Sequence, residues 1–315
     1  MCHYAVNTSM VMVMKKILMT GGTGLIGSAL CKLLLAQGHH VTVLSRSMET
    51  VNIKCGTPVD AIESLADIND DIAIDWVINL AGEPIADKPW TKKRKAVLEA
   101  SRVDFTRHLV DWMTQRQHTP ECLISGSAVG WYGDGEDNVL TEHSDFHDEY
   151  THQLCDAWEQ QALRAQQFGT RVCIVRTGLV LAALGGFLHK MLLPFKLGVG
   201  GQLGSGQQFM PWIHITDVIN LIVFLANNDE AQGVFNACSP QPVRNQTFTT
   251  TLAAKLHRYA FIPVPAWLLK HLLGEMSRLL LTGQRAIPEK AEAMGFRFVY
   301  TNLTLALADV LSAKN

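Results

Sequence analysis

Short apolar runs, separated by stretches whose apolar residues recur every three or four positions, set the pattern of the chain as far as about Val180. Lys16-Ile-Leu-Met-Thr20 is an apolar run that ends in glycines, and after it Leu25, Leu30, Leu33 and Leu34 recur at helical spacing until Gly38. This predicts a strand, a tight turn, an amphipathic helix and a glycine stop. Val41-Thr-Val-Leu44 predicts a second strand, about where a βαβ unit returns to its sheet. Further buried strands are predicted at Trp76 to Leu80, Cys122 to Ser125 and Val172 to Arg176, with room for helices between them. Strands that alternate with helices predict an α/β fold with a doubly wound parallel sheet of the Rossmann type.

Beyond Val180 the texture changes. Gly185-Gly186, Gly198, Gly200-Gly201, Gly204 and Gly206 crowd a stretch that also holds Pro194 and Pro211, a composition suited to loops over a cleft. A helix over Val218 to Ala226 and a strand over Gly233 to Asn236 return to the core. From Pro263, the residues Leu268, Leu269, Leu272, Leu273, Met276, Leu279 and Leu280 form one apolar stripe at helical spacing, which predicts a helix packed on the rest of the protein. The expected division is an α/β domain over residues 14–262, with cleft loops at about 185–212, and a smaller C-terminal subdomain over residues 263–315.

At 315 residues the chain can bury a large core, and 48% hydrophobic with 18% charged residues is the composition of an ordinary globular protein. Lys and Arg total 27 against 29 for Asp and Glu, so there is no electropositive surplus to meet a phosphate backbone, and nucleic acid is not an expected partner. The seven cysteines are widely spread and nowhere spaced C-x-x-C. That pattern points to a reducing compartment and away from zinc, so no metal is expected. No apolar run approaches the roughly 20 residues that span a bilayer, and a cytoplasmic protein with no membrane partner is expected. Residues 1–13 have no basic region ahead of an apolar one, and they are expected to form a disordered extension before Met14. A homodimer is compatible with the sequence.

Candidate chemistry starts at Thr20-Gly-Gly-Thr-Gly-Leu-Ile-Gly27, where Gly21, Gly24 and Gly27 lie between the first strand and the first helix. In that context the first glycine permits a tight turn, the middle one lets backbone approach a pyrophosphate, and the last allows close packing of helix on sheet. The phosphate would meet free N–H groups at the helix N-terminus, around Leu25, Ile26 and Gly27. A nicotinamide dinucleotide is therefore the expected cofactor. An NAD site carries Asp or Glu at the end of the second strand to hold the ribose hydroxyls, whereas here Ser45 is followed by Arg46. A carboxylate would repel a 2′-phosphate and Arg would bind it through charge-assisted hydrogen bonds, which favours NADP over NAD.

The glycine turn, together with Asn79-Leu-Ala-Gly82 after the fourth strand, resembles the extended short-chain dehydrogenase/reductase superfamily. Longer strings narrow the resemblance. Asn79-Leu-Ala-Gly-Glu-Pro-Ile85, Ser127-Ala-Val-Gly-Trp-Tyr-Gly133, Arg176-Thr-Gly178, Gly200-Gly-Gln-Leu-Gly-Ser-Gly206 and Trp212-Ile-His-Ile-Thr-Asp217 are similar to the bacterial YfcH-type epimerase-family proteins, which are usually called atypical. The match runs from about Lys16 to about Leu311, and the segment from about Pro263, with Gly283-Gln-Arg285 and Gly295-Phe-Arg-Phe298, is similar to the small C-terminal domain peculiar to that family. The resemblance implies an extended Rossmann domain whose C-terminal half closes a substrate cleft over the nicotinamide. Leu80, Ala81 and Gly82 after the fourth strand, and Arg176 at the sheet edge, complete the expected cofactor contacts.

Active members of the superfamily pair a Ser or Thr after the fifth strand with Tyr-x-x-x-Lys on the next helix. Ser127 carries over as the Ser, with Ser125 as competitor because the loop to Gly133 is one residue longer than the usual pattern. Tyr150 lies at about the distance of the Tyr, but four residues on stands Leu154, and no lysine lies between Lys95 and Lys190. A Tyr of pKa about 10 without that lysine is ionised to only about one part in a thousand at pH 7, which makes it a poor general base although it can still donate a proton. The helical Asn of the superfamily is also missing, its stretch being Ser101-Arg-Val-Asp-Phe-Thr106. Glu83, after the nicotinamide-side loop, and His214 complete the candidate acid/base set. His214 serves equally as a core histidine, and Thr216 and Asp217 as caps of the following helix. Arg285 is a candidate for meeting an anionic substrate and, equally, a surface charge.

Two readings remain open. One is an NADP(H)-dependent oxidoreductase or epimerase that acts on a small polar substrate with a modified acid/base set. The other is an NADP-binding regulator or scaffold with little or no turnover, a role that relatives link to division. The retained cleft-lining strings favour the first, and the missing lysine favours the second.

Overall fold

The computed structural model describes residues 13–260 and 262–312. Apart from Val13, the extension expected at residues 1–13 lies outside the described residues. The first half of the chain alternates strand and helix, through β1 (Lys16–Thr20), α1 (Leu25–Ala36), β2 (His40–Leu44), α2 (Met48–Cys55), β3 (Asp60–Ile62) and β4 (Trp76–Asn79). Then α3 (Lys92–Glu99) runs through a π-helical turn, Ala100–Asp104, into α4 (Phe105–Thr114), and β5 (Cys122–Ala128) follows. The middle of the chain holds β6 (Val139–Leu140), α5 (Tyr150–Leu163), β7 (Arg171–Thr177), β8 (Leu179–Leu181), α6 (Gly186–Lys196), β9 (Phe209–Met210), β10 (Trp212–His214), α7 (Ile215–Asn227) and β11 (Gly233–Ala237). The last part comprises β12 (Val243–Arg244), α8 (Asn245–Lys255), α9 (Ala266–Leu273), α10 (Arg278–Leu281), β13 (Arg285–Ala286), α11 (Glu289–Ala293) and α12 (Leu303–Ser312).

Seven strands form one parallel sheet in the order β3-β2-β1-β4-β5-β7-β11. Its central strands are continuous apolar runs because helices cover both faces. In β1, Ile17 and Met19 pack with Leu30 and Leu34 of α1 and Val218, Leu221 and Leu225 of α7. Leu18 turns the other way, toward Leu109, Val110 and Met113 of α4. The strand order reverses at β1, so the crevice beyond the C-terminal ends of β1 and β4 is where such a sheet receives a ligand.

Several elements differ from their sequence patterns. The three-residue edge strand β3 has no apolar signature and is exposed at Asp60. Helix α7 starts three residues before the expected Val218, because the His214 side chain caps it: Nδ1 accepts a hydrogen bond from the Thr216 N–H at 3.1 Å. Asp217 is no cap; buried, it accepts from the N–H groups of Val299 and Tyr300 at 2.7 and 3.0 Å. The apolar stripe after Pro263 is not one helix. It breaks after Leu273 at Gly274, whose φ of 56° suits glycine, and resumes through a 3-10 turn into α10. Leu269 and Met276 are buried while Leu272 is exposed.

The C-terminal residues pack into cores built by the preceding chain. Ala291 and Phe296 join the α1 and α7 side of the sheet, and Leu303, Ala306, Leu307 and Val310 pack with Leu181, Trp212 and Phe248. β13 pairs with β6 in parallel, Arg285 opposite Val139.

Candidate functional site

The glycine turn is built by backbone contacts that leave no room for a side chain at Gly21 or Gly27. Gly21 has a φ of 70°, and a Cβ there would lie 2.4 Å from the Leu80 carbonyl oxygen. A Cβ at Gly27 would lie 2.3 Å from the Gly21 carbonyl oxygen. At Gly24 the same test meets only the Gly21 oxygen, at 3.1 Å, so the remaining space is open. Gly24 is also the N-cap of α1, and no side chain caps that helix, which leaves the first-turn N–H groups around Leu25, Ile26 and Gly27 free for an anion. The turn is anchored below. Thr20 Oγ1 donates to Asn79 Oδ1 at 2.7 Å and accepts from the Ala81 N–H at 3.3 Å, while Asn79 Nδ2 donates to Thr106 Oγ1 at 2.8 Å. These residues fit a dinucleotide pyrophosphate.

Ser45 and Arg46 follow β2, and Glu83 follows β4, the two strands that flank β1. The Arg46 guanidinium is 95% exposed, and its Nη2 lies 3.6 Å from Glu83 Oε1. Glu83 Oε2 faces Arg94 Nη1 at 3.4 Å. Glu83, a candidate acid or base from sequence, thus has a guanidinium on each oxygen.

Ser127, at the end of β5, donates from Oγ to Glu159 Oε1 at 2.6 Å. Glu159 also takes a two-pronged pair from Arg176, with Nε and Nη2 both at 2.8 Å. Both side chains of that pair are buried. Burial works against the Arg176 charge, but the Glu159 hydrogen bonds and charge outweigh it and hold the guanidinium above its ordinary pKa. Arg176 also stacks 3.5 Å over the Trp131 ring. Arg176, expected at the cofactor, spends Nε and Nη2 on Glu159 and keeps a buried Nη1 without a partner. The competitor Ser125 is buried with no partner on its hydroxyl.

The α5 residues turned toward Ser127 are Glu159 and, one turn earlier, Cys155, whose thiol is pushed up to about 12 by burial. Another turn earlier on the same face stands Thr151, against Gly130. Tyr150 lies on a different face and does not meet Ser127, which corrects the pairing expected from the superfamily spacing. Its ring packs edge-on to Trp90 at 4.9 Å, with Lys95 Nζ 4.1 Å from the ring centre. Its hydroxyl is buried without a hydrogen-bond partner, and burial raises its pKa. Cys155 and Glu159 escape notice in the sequence, where a spacing of four and an acidic residue beside Trp158 were the available signals.

His214 is buried. Besides capping α7, it brings Nε2 to 3.2 Å from Asp309 Oδ2 and stacks on Tyr300 with ring centres 3.8 Å apart. Burial lowers its pKa, and the charges of Asp309 and Asp217 oppose that in part. Among the described residues no contact links it to Ser127 or the glycine turn, so its expected acid/base role gives way to joining α7 and α12. Arg285 lies 5.2 Å over the Phe209 ring. Among the described residues, no group of three or more His, Cys, Asp and Glu could hold a metal ion, and no helix is long and apolar enough to cross a membrane.

Residues 17–238 match the NAD dependent epimerase/dehydratase family, and residues 264–310 match a domain of unknown function, DUF1731. An epimerase family protein of Staphylococcus haemolyticus is 39% identical over 303 residues, which cover 95% of this chain and all of that one. The crystal structure of the human epimerase family protein SDR39U1 (isoform 2) with NADPH superposes with a TM-score of 0.86 at 33% identity, covering 94% of this chain and 99% of that one. The UDP-glucuronic acid 4-epimerase of Bacillus cereus, in complex with UDP-glucuronic acid and NAD, has a TM-score of 0.75 at 16% identity, covering 95% and 99% of the two chains, a likeness of fold.

Proposed function

The chain belongs to the NAD dependent epimerase/dehydratase family, and we propose that it binds NADP(H) over the ends of β1 and β4 and uses it as an oxidoreductase or epimerase on a small polar substrate. The observation that carries this reading is Gly24: open space on one side, an uncapped helix N-terminus on the other, and Arg46 in reach after β2. The NADPH in the crystal structure of the human relative supports the same choice of cofactor.

In this reading the first turn of α1 holds the pyrophosphate and Arg46 the 2′-phosphate, and Leu80, Ala81 and Gly82 line the crevice. When bound, the nicotinamide supplies hydride transfer. Ser127 is the polar group at the end of β5. Ser127 donates its hydrogen bond to Glu159, which Arg176 pairs, and so keeps the lone pairs of its oxygen as acceptors. Calorimetric titration with NADPH and NADH at fixed salt tests the reading, and equal affinities or a preference for NADH would overturn it.

One observation favours a second reading, a nucleotide-binding regulator with little turnover. The α5 face toward Ser127 carries Thr151 and Cys155, neither of which can serve as the Tyr and Lys of the superfamily. Tight NADPH binding with no NADPH oxidation across carbonyl compounds and nucleotide sugars would support it.

A further inference from the structure

The lysine missing from α5 leaves the cleft without its usual cation, yet a cation arrives from another helix. Between α3 and α4 the backbone winds as a π-helix over Ala100–Asp104, and single π-helical turns inside α-helices frequently mark functional sites. Two of its side chains reach back to the loop after β4. Ser101 Oγ accepts from the Glu83 N–H at 3.1 Å, and Arg102 Nη2 donates to the Glu83 carbonyl at 2.8 Å. The guanidinium lies against Gly82, where an added Cβ would sit 3.1 Å from Cζ. On the other side it lies 5.4 Å from the centre of the Trp158 ring, with Tyr150 and Cys155 close enough to feel its charge. Arg102 therefore stands between the β4 loop and the α5 face that turns toward Ser127.

Among the described residues, no carboxylate lies within ion-pair distance of Arg102. Arg94 beside it is nearly buried, spends Nη1 on Glu83 and Nη2 on the Pro84 carbonyl, and keeps a buried Nε without a partner. Arg46, Arg94 and Arg102 thus gather around one carboxylate, Glu83. Arg102 is partly desolvated and shares the charge of Glu83 with Arg46 and Arg94, so positive charge is in surplus and an entering anion offsets it.

We propose that Arg102, with Arg94 beside it, forms an anion subsite of this cleft that takes a carboxylate or phosphoryl oxygen of the small-molecule ligand and so supplies the charge the absent lysine does not. The placement of that ligand rests on the NADP-binding reading above. The planar fork of Arg suits such oxygens, and the subsite selects anionic over neutral substrates.

Malonate and inorganic phosphate are the probes, added to the full chain saturated with NADPH at constant ionic strength in chloride. The expected result is a rise in Tm with at least one probe, needing at least tenfold more probe in Arg102→Met. Malonate alone identifies a carboxylate site and phosphate alone a phosphoryl site. A wild type insensitive to both, or an Arg102→Met equal to the wild type, overturns the proposal. Should Arg102→Met fail to fold, wild-type crystals soaked in selenate decide: an anomalous peak at the Arg102 guanidinium supports the subsite, and peaks only elsewhere overturn it. NADPH titration of the same wild-type sample before any probe is added tests the cofactor reading separately, and repeating the probe series without NADPH keeps the two outcomes apart.

Discussion

Arg46 and Glu83 meet over the end of β1, a guanidinium from the loop after β2 lying 3.6 Å from a carboxylate in the loop after β4. A 2′-phosphate arriving at Arg46 must displace that carboxylate or share the guanidinium with it. Arg46→Ala is expected to weaken NADPH by about 1.5–3 kcal/mol, the worth of a charged hydrogen bond, and to leave NADH nearly unchanged. Glu83→Gln acts in the opposite sense. With Arg46 almost fully exposed, removing the competitor should tighten NADPH by no more than about 1 kcal/mol. Calorimetry at two salt concentrations reads both effects, which should shrink as salt rises.

The glycine turn separates binding from folding. Gly24→Val should abolish NADPH binding while circular dichroism stays near that of the wild type, because its Cβ meets only the Gly21 carbonyl oxygen, at 3.1 Å, and the rest of the side chain enters space the ligand needs. Gly27→Val should fail to fold, since its Cβ meets the Gly21 carbonyl at 2.3 Å. A folded Gly24→Val that still binds would remove the phosphate cradle from the proposal.

The buried pair under Ser127 carries stability. Glu159→Gln leaves Arg176 buried without its counter-charge and should cost about 3–5 kcal/mol in urea unfolding. Ser127→Ala removes one hydrogen bond to a charged group and should cost about 1.5–3 kcal/mol. Costs near zero would mean that the pair is solvated in solution.

Tyr150→Phe removes a buried hydroxyl that bonds to nothing. Stability should be unchanged or slightly raised, and any turnover should fall by less than the ~100-fold that marks loss of a general acid or base. A larger loss with NADPH binding intact would return Tyr150 to the reaction.

His214 gives stability a pH dependence of known sign. Burial lowers its folded pKa from the ordinary 6.5, so the unfolded chain binds the proton first as pH falls. The contribution of neutral His214 is present above the unfolded value and is lost on going below it. His214→Asn keeps an N-cap but does not titrate. Wild-type stability, measured by urea unfolding relative to this variant, should therefore fall between pH 7.5 and 5.5. A flat or rising difference would contradict the burial of that ring.

Some of this was legible in sequence for simple reasons. β1, β4 and β5 each hold an apolar run, at residues 17–19, 76–78 and 122–124, because both faces of the sheet are covered, and Gly21, Gly24 and Gly27 mark a turn whose backbone contacts exclude side chains at Gly21 and Gly27. The surroundings of Ser127 were not legible. Glu159 lies 32 positions away and reads as an ordinary helical acid until Arg176, 17 positions further on, is seen to neutralise it. Tyr150 misleads because the face of a helix depends on where the helix begins, and each residue turns the side chain by about 100°. A family spacing carried over with an error of one or two positions therefore points the ring away, here toward Trp90 and Lys95. Arg102 is invisible for a related reason, since a π-helical turn alters the register of every side chain that follows.

The way the final helix is held has a consequence for how the chain is made. Asp217 waits for the N–H groups of Val299 and Tyr300, His214 for Asp309, and the apolar surface of α7 for Phe296. On the ribosome, the parallel sheet can emerge and pair long before those partners exist. Until residues 296–309 leave the exit tunnel, the nascent chain carries a buried-type carboxylate and an uncovered apolar helix face, the kind of surface on which chaperones act. Packing of α7 is thus coupled to the emergence of residues 296–309.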